Sequence, residues 1–229
     1  MERVFAVTGA FGVLGRALTR RFMDAGDHVI LIDRVVAGEA LRSEFASELV
    51  LDSVDLGDLE GTGAAIARGV RHFGHLDGLI NAAGGFEWEK LQEGSLDTWD
   101  RMYATNLRTA VVASKCVLPH LLKSGYGRIV NIGAAAAAKA AGGMGPYAAS
   151  KAGVARLTES LAEEVKDQLI TVNAVLPSIL DTPRNRADMP DADFGRWVSP
   201  GAIAELVIFL CSEQAAAITG ASIPVTNRC

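Results

Sequence analysis

The chain has 229 residues, with 22 Lys and Arg against 27 Asp and Glu and a formal charge of −5. Hydrophobic residues make up 49% and charged residues 21%, which excludes intrinsic disorder and suits one globular domain with its own core. The acidic balance argues against nucleic acid as a partner, since phosphate binding needs clustered Lys and Arg, and no apolar run approaches the ~18 residues of a membrane span.

Glu2 and Arg3 lead straight into a strand-like run, so no signal peptide is expected. Short, Val/Ile/Leu-rich runs predict strands over Val4–Thr8, Val29–Asp33, Val50–Val54, Leu76–Asn81, Arg128–Ile132 and Ile170–Leu176, each covered on both faces. A last strand is expected over Ser222–Val225. Helical patterns lie between them at Val13–Ala25, Ala40–Ser47, Leu59–Phe73, Leu96–Ser124, Pro146–Asp167 and Ala202–Cys211. This alternation predicts a single α/β domain over residues 1–229, a doubly wound parallel sheet in a three-layer, Rossmann-like sandwich. The Ala-rich stretch from Ala134 reads as a strand-to-helix loop. Ser178–Pro200 shows no clear strand or long helix and reads as a lid over the substrate. Cys116, Cys211 and Cys229 form no CxxC pair, which fits reduced thiols in a cytoplasmic protein.

Thr8-Gly9-Ala10-Phe11-Gly12-Val13-Leu14-Gly15 joins the first strand to the first helix. Glycines let the backbone approach a pyrophosphate, and the helix N-terminus offers free N–H groups. Such a turn alone is equally a tight connection, but Asp33 at the end of the second strand stands where an acid would meet ribose hydroxyls. A carboxylate there repels a 2′-phosphate, so NAD is preferred to NADP. Arg34 could pair with that phosphate and keeps NADP possible, although a solvated charge is its plainer reading.

Tyr147 and Lys151 stand four residues apart at the start of a long helix, on one face. An ordinary phenol, pKa ~10, is a poor acid or base near neutrality, and an adjacent ammonium would lower it. On a helix surface this pair is commonplace. It gains weight here because the helix follows the fifth strand, and ligands bind at the C-terminal strand ends of such sheets.

With the Gly9–Gly15 loop, Asp33, Asp55-Leu56, Asn81-Ala82-Ala83-Gly84, Asn106, Tyr147 with Lys151, and Asn173 through Thr182 in order, the chain resembles a short-chain dehydrogenase/reductase over nearly its whole length. The resemblance implies that Tyr147 transfers the proton, Lys151 holds the nicotinamide ribose and Asn106 holds a relay water. It places Gly9, Phe11, Gly12, Leu14, Gly15, Asp33, Arg34, Asp55, Leu56, Asn81 to Gly84, Ile132, Pro177, Leu180 and Thr182 along the dinucleotide, with Ala134, Met144 and Trp197 at the substrate.

The chain departs from that pattern in places. Gly12 is present where Val13 holds the usual glycine site, Ser178 replaces a glycine, and the tail reads Thr226-Asn227-Arg228 instead of Asp-Gly-Gly. The main departure is Ala134, which stands thirteen residues before Tyr147 where the family carries a serine that holds the substrate carbonyl. Dihydropteridine reductases resemble this Ser-less loop and the segment from Leu180 to Trp197. That closer resemblance implies NADH and a flat, electron-poor acceptor such as a quinonoid dihydropterin. Two other readings remain: an ordinary carbonyl reductase or alcohol dehydrogenase, for example on 3-oxoacyl thioesters, and a dinucleotide-sensing protein without catalysis.

Phe194 and Trp197 could stack on a flat ring or anchor the lid, and Arg184 and Arg186 read as solvated loop charges, with substrate binding as the alternative for each. His28, His72, His75 and His120 have no metal spacing, and no metal is expected. Apolar residues on more than one face of the 96–124 and 146–167 helices point to a homodimer or homotetramer.

Overall fold

A computed structural model describes residues 2–228, so Cys229 lies outside the described residues. Seven strands form one sheet: β1 (Val4–Thr8), β2 (His28–Ile32), β3 (Leu49–Leu51), β4 (Gly78–Asn81), β5 (Tyr126–Ile132), β6 (Leu169–Pro177) and β7 (Ser222–Val225). Their order is β3-β2-β1-β4-β5-β6-β7, and every pairing is parallel. The strands therefore all end at one edge of the sheet. The order reverses between β1 and β4, where a crevice opens for a ligand.

The helices are α1 (Val13–Asp24), α2 (Glu39–Glu44), α3 (Leu59–Phe73), α4 (Leu96–Met102), α5 (Thr109–Ser124), α6 (Gly145–Glu164), α7 (Pro183–Asp188) and α8 (Pro200–Leu210). Two cores flank the sheet. Ile66 of α3, Val117 and Leu121 of α5 and Leu161 of α6 fill one face with Ala6, Ile30 and Ile129. Leu18 and Phe22 of α1 and Val207 and Leu210 of α8 fill the other with Phe5, Leu31 and Val130. Complete burial of β1, β4 and most of β2, β5 and β6 explains why their sequences are apolar at successive positions. Among the described residues, no helix is long and apolar enough to cross a membrane.

One expectation needs correction and another gains detail. The single helix over Leu96–Ser124 is broken by a π-helical turn, Tyr103–Arg108, because Asn106 is drawn inward to polar partners and the ladder bulges to admit it. The 178–200 segment, read as lacking a clear strand or long helix, is built of short pieces. It holds α7, started by Pro183 and capped by Thr182 Oγ1 accepting from Asn185 N at 3.2 Å. A short 3₁₀ turn follows at Phe194–Arg196, and Asp181 N donates to Val198 O at 2.8 Å to close the segment on itself. The Ala-rich loop carries one 3₁₀ turn, Ala135–Ala137.

Candidate active site

The first cavity, about 1030 Å³, runs along the C-terminal ends of β1, β2 and β4. Gly9 adopts φ +62°, and a Cβ there would lie 2.7 Å from Ala83 Cα. A Cβ on Gly15 would sit 2.6 Å from Ala10 Cα, so these two glycines let α1 and the β4 loop close on the turn. Gly12 differs: a Cβ there would make only an ordinary contact, 3.4 Å from the Gly9 carbonyl oxygen, and the residue lines the cavity. It caps α1 without a side-chain bond, and no acid stands in the first turn, leaving backbone N–H groups for an anion.

Asp33 is buried at the end of β2 and lines the same cavity. Its Oδ2 accepts from Phe11 N at 3.0 Å and its Oδ1 from Val35 N at 3.1 Å, which fixes the carboxylate and leaves lone pairs for a diol. Asp55 accepts from Gly57 N at 2.8 Å, and Arg108 Nε donates to Gly57 O at 3.1 Å, closing the far wall. Thr8 Oγ1 accepts from Ala83 N at 3.2 Å and ties the β4 loop to β1. An elongated cleft with a backbone anion site and a diol acceptor fits a dinucleotide.

A second cavity of about 250 Å³ adjoins it and shares Leu14, Ala82, Gly84 and Arg184. Tyr147, Lys151, Ile132, Ala134, Pro177 and Leu180 line it. Lys151 is 5% exposed, and its Nζ donates to Ile132 O at 2.8 Å. Phe86 lies edge-on to the Tyr147 ring at 4.9 Å. Ser150 Oγ donates to Tyr147 O at 2.7 Å and accepts from Asn106 Nδ2 at 3.0 Å. Asn106 also accepts from Gly85 N at 2.8 Å and donates to Gly85 O at 3.1 Å, bracing α6 against the β4 loop.

The expected depression of the phenol pKa is not found. Burial pushes Tyr147 up to about 12 and Lys151 down to about 8, because both charged forms lose water. Desolvation is the cause at both groups, and the phenol is held protonated at neutral pH.

The structure thus brings Gly9, Phe11, Gly12, Leu14, Gly15, Asp33, Arg34, Asp55, Leu56, Ala82, Ala83, Gly84 and Thr182 to the first cavity. Asn81 is not there. It is buried within the layer, donating to Ser114 Oγ at 3.1 Å and Asn131 Oδ1 at 2.8 Å, because it pairs with Asn131 in the β4–β5 register. Asn106 touches neither cavity through its side chain, which is spent on the brace. Two substrate expectations also fall away from the cavities. Met144 caps α6, and Trp197 is buried against Phe194, 4.7 Å between centroids, which is the anchoring arrangement. Phe86 and Ser150 are additions, and Arg184, read first as a solvated loop charge, lines both cavities. Ser150 lies inside the Tyr–Lys motif, so its position was readable, but the bond to Asn106 was not.

Known proteins share the chain's family and fold. Residues 3–193 match the short chain dehydrogenase family. The chain is 33% identical over 237 residues to the 3-oxoacyl-acyl-carrier-protein reductase FabG of Vibrio harveyi, covering 98% of this chain and 96% of the relative. The carveol dehydrogenase of Mycobacterium avium in complex with NAD superposes with TM-score 0.88 at 28% identity, over 97% of this chain and 95% of that one. ElxO with NADP bound superposes with TM-score 0.91 at 26% identity, over 98% and 97%.

Proposed function

The chain belongs to the short-chain dehydrogenase family and is an NAD(P)-dependent oxidoreductase; on that premise we propose that it reduces a flat, electron-poor conjugated acceptor with NADH, a quinonoid dihydropterin being the type of molecule that fits. One observation carries this reading: the wall where the resemblance puts a hydroxyl donor holds the Ala134 methyl, in the cavity that Tyr147 lines. An isolated ketone collects charge on its oxygen during reduction, and losing one preorganised donor costs ~10²–10³ in rate. A quinonoid ring spreads that charge over several atoms and depends on the donor far less. Phe86, Ile132, Pro177 and Leu180 add apolar walls suited to a ring.

Bound nicotinamide supplies the hydride. Tyr147 delivers the proton, and burial keeps its hydroxyl protonated at neutral pH, as a donor must be. Lys151, charged below about 8, offsets the negative charge that the phenol takes on. The Asn106–Ser150 brace holds the first turn of α6 in place. Asp33 supports NADH over NADPH, because its fixed carboxylate would face a 2′-phosphate.

Exposed Leu96, Tyr103, Val111 and Leu122 on α4, the π turn and α5 support pairing of two copies across that face. The free thiols Cys116 and Cys211 suit a reducing, cytoplasmic setting.

Reduction of 3-oxoacyl thioesters is the second reading, favoured by the full-length similarity to the Vibrio harveyi reductase. Wild type and Ala134→Ser, assayed on a quinonoid dihydropterin, a naphthoquinone and a 3-oxoacyl thioester, separate the two. We expect wild type to oxidise NADH with the quinonoid acceptors and Ala134→Ser to change those rates by less than about threefold. A gain of ~10² on the thioester, with no quinonoid turnover by either protein, would select the second reading.

A further inference from the structure

Among the described residues, Arg184 is the one charged side chain that lines both cavities. The other polar side chains of the second cavity are largely committed. Ser178 Oγ donates to Thr226 O at 3.1 Å, Asn185 Nδ2 to Leu180 O at 2.8 Å, and Lys151 Nζ to Ile132 O at 2.8 Å. The neighbouring cation, Arg186, is locked onto Asp181 by bonds of 2.6 and 2.8 Å. Among the described residues, Arg184 pairs with Asp188 alone, with Nε to Oδ2 at 3.6 Å and side-chain exposures of 81% and 61%. At that distance and exposure the pair is weak, and the guanidinium keeps a planar fork of donors suited to a carboxylate, sulfonate or phosphate.

We propose that Arg184 binds an anionic substituent of the acceptor, so that the substrate class is flat, electron-poor acids. The proposal rests on the second cavity being the acceptor site. The dinucleotide's own pyrophosphate is the rival anion. Two features favour the acceptor. Asp188, which faces Arg184 Nε, lines the second cavity and not the first. The first cavity already meets a pyrophosphate with the backbone N–H groups of the Gly9–Gly15 turn and the start of α1. Asp188 lines the same wall, so it competes with the ligand for the guanidinium and sets how strong an anion must be to displace it.

Binding tests this without turnover. Protein saturated with NAD+ is titrated calorimetrically with naphthalene-2-sulfonate and with the neutral 2-naphthamide, a pair that cannot exchange hydride. We expect the sulfonate to bind about tenfold tighter. Arg184→Gln removes that preference and leaves the amide affinity and the ADP-ribose affinity unchanged. Asp188→Asn tightens the sulfonate by about threefold or more. Equal binding of the two ligands, no binding of either, or an unaltered preference in Arg184→Gln overturns the proposal. A tenfold loss of ADP-ribose affinity in Arg184→Gln also overturns it, and gives the residue to the pyrophosphate. Failure of hydride transfer to every quinone, with sulfonate binding intact, defeats the proposed reaction and leaves the anion site standing.

Discussion

The two cavities are built from different material. The first is made of backbone: a glycine turn, strand ends and the start of a helix, with Asp33 held by two N–H groups. The second is made of side chains delivered by the β4 loop, the Ala-rich loop, α6 and the segment after β6. Backbone geometry is common to every substrate such a fold accepts. Side-chain identity is where one chain parts from another, and here the second cavity carries Ala134 where the resemblance puts a serine, beside Phe86 and Arg184. The comparison teaches that the dinucleotide half fixes the reaction type and the acceptor half fixes the molecule.

The harshest test strikes the acceptor half. Tyr147→Phe removes the proton donor while keeping the ring that meets Phe86 edge-on. Steady-state assays should show a loss of ~10²–10⁴ in kcat, and fluorescence titration should give an NADH Kd within about twofold of wild type. Normal turnover would move the acid to another group and erase the division between the halves.

Lys151 joins the halves, and its burial has a consequence for stability. Its pKa falls from the ordinary 10.5 to about 8 in the fold. Between those values the unfolded chain binds the proton and the folded chain does not, so this contribution to stability rises with pH across the window. The gap is worth about 3 kcal/mol. Cys211, pushed up to about 12 by burial, works in the opposite direction above pH 9, so the measurement must be a difference. Denaturant unfolding of wild type and Lys151→Met from pH 7 to 10.5 should show wild type gaining about 3 kcal/mol on the variant. A pH-independent difference would mean that the ammonium is well solvated.

What the sequence disclosed follows the same division. β1, β7 and α3 have the bounds that their sequences predict; β1 is buried throughout and α3 along one stripe, and both patterns are local in sequence. The glycine turn, Asp33 and the Tyr147–Lys151 spacing are equally local. The π turn at Tyr103–Arg108 was invisible because it depends on Asn106 reaching Gly85 and Ser150, which are distant in sequence. α7 was invisible because none of its residues is buried, so it carries no apolar stripe. Trp197 misled because an aromatic ring suits a ligand and a core alike, and packing against Phe194 chose the core.

Within the dinucleotide half, two glycines should part company. Gly15→Ala places a methyl 2.6 Å from Ala10 Cα, and overpacking of this kind costs roughly 1–3 kcal/mol, read as a lower Tm. Gly12→Ala makes only a 3.4 Å contact, so its Tm should hold while NADH binding weakens, because the methyl enters the cleft. Equal effects of the two on stability would mean that the turn is packed uniformly and Gly12 has no special relation to a ligand.

The smallest expected effect concerns the choice between the two dinucleotides. Asp33→Asn removes the charge that opposes a 2′-phosphate, and the NADPH to NADH affinity ratio should rise about tenfold, or about 1.4 kcal/mol, less than the ~4 kcal/mol of two unscreened charges ~4 Å apart near a surface because salt screens a phosphate in an open cleft. The variant keeps one carbonyl oxygen for two backbone donors, Phe11 N and Val35 N, so it should also lose about 1 kcal/mol of stability. Arg34 is exposed on the same cavity wall and would be the attractive partner of the phosphate. Adding Arg34→Gln to Asp33→Asn should therefore cancel most of the gain in NADPH affinity and leave NADH untouched. If the single change does not move the ratio, selection between the coenzymes lies outside the end of β2, and the backbone half is less decisive than its geometry implies.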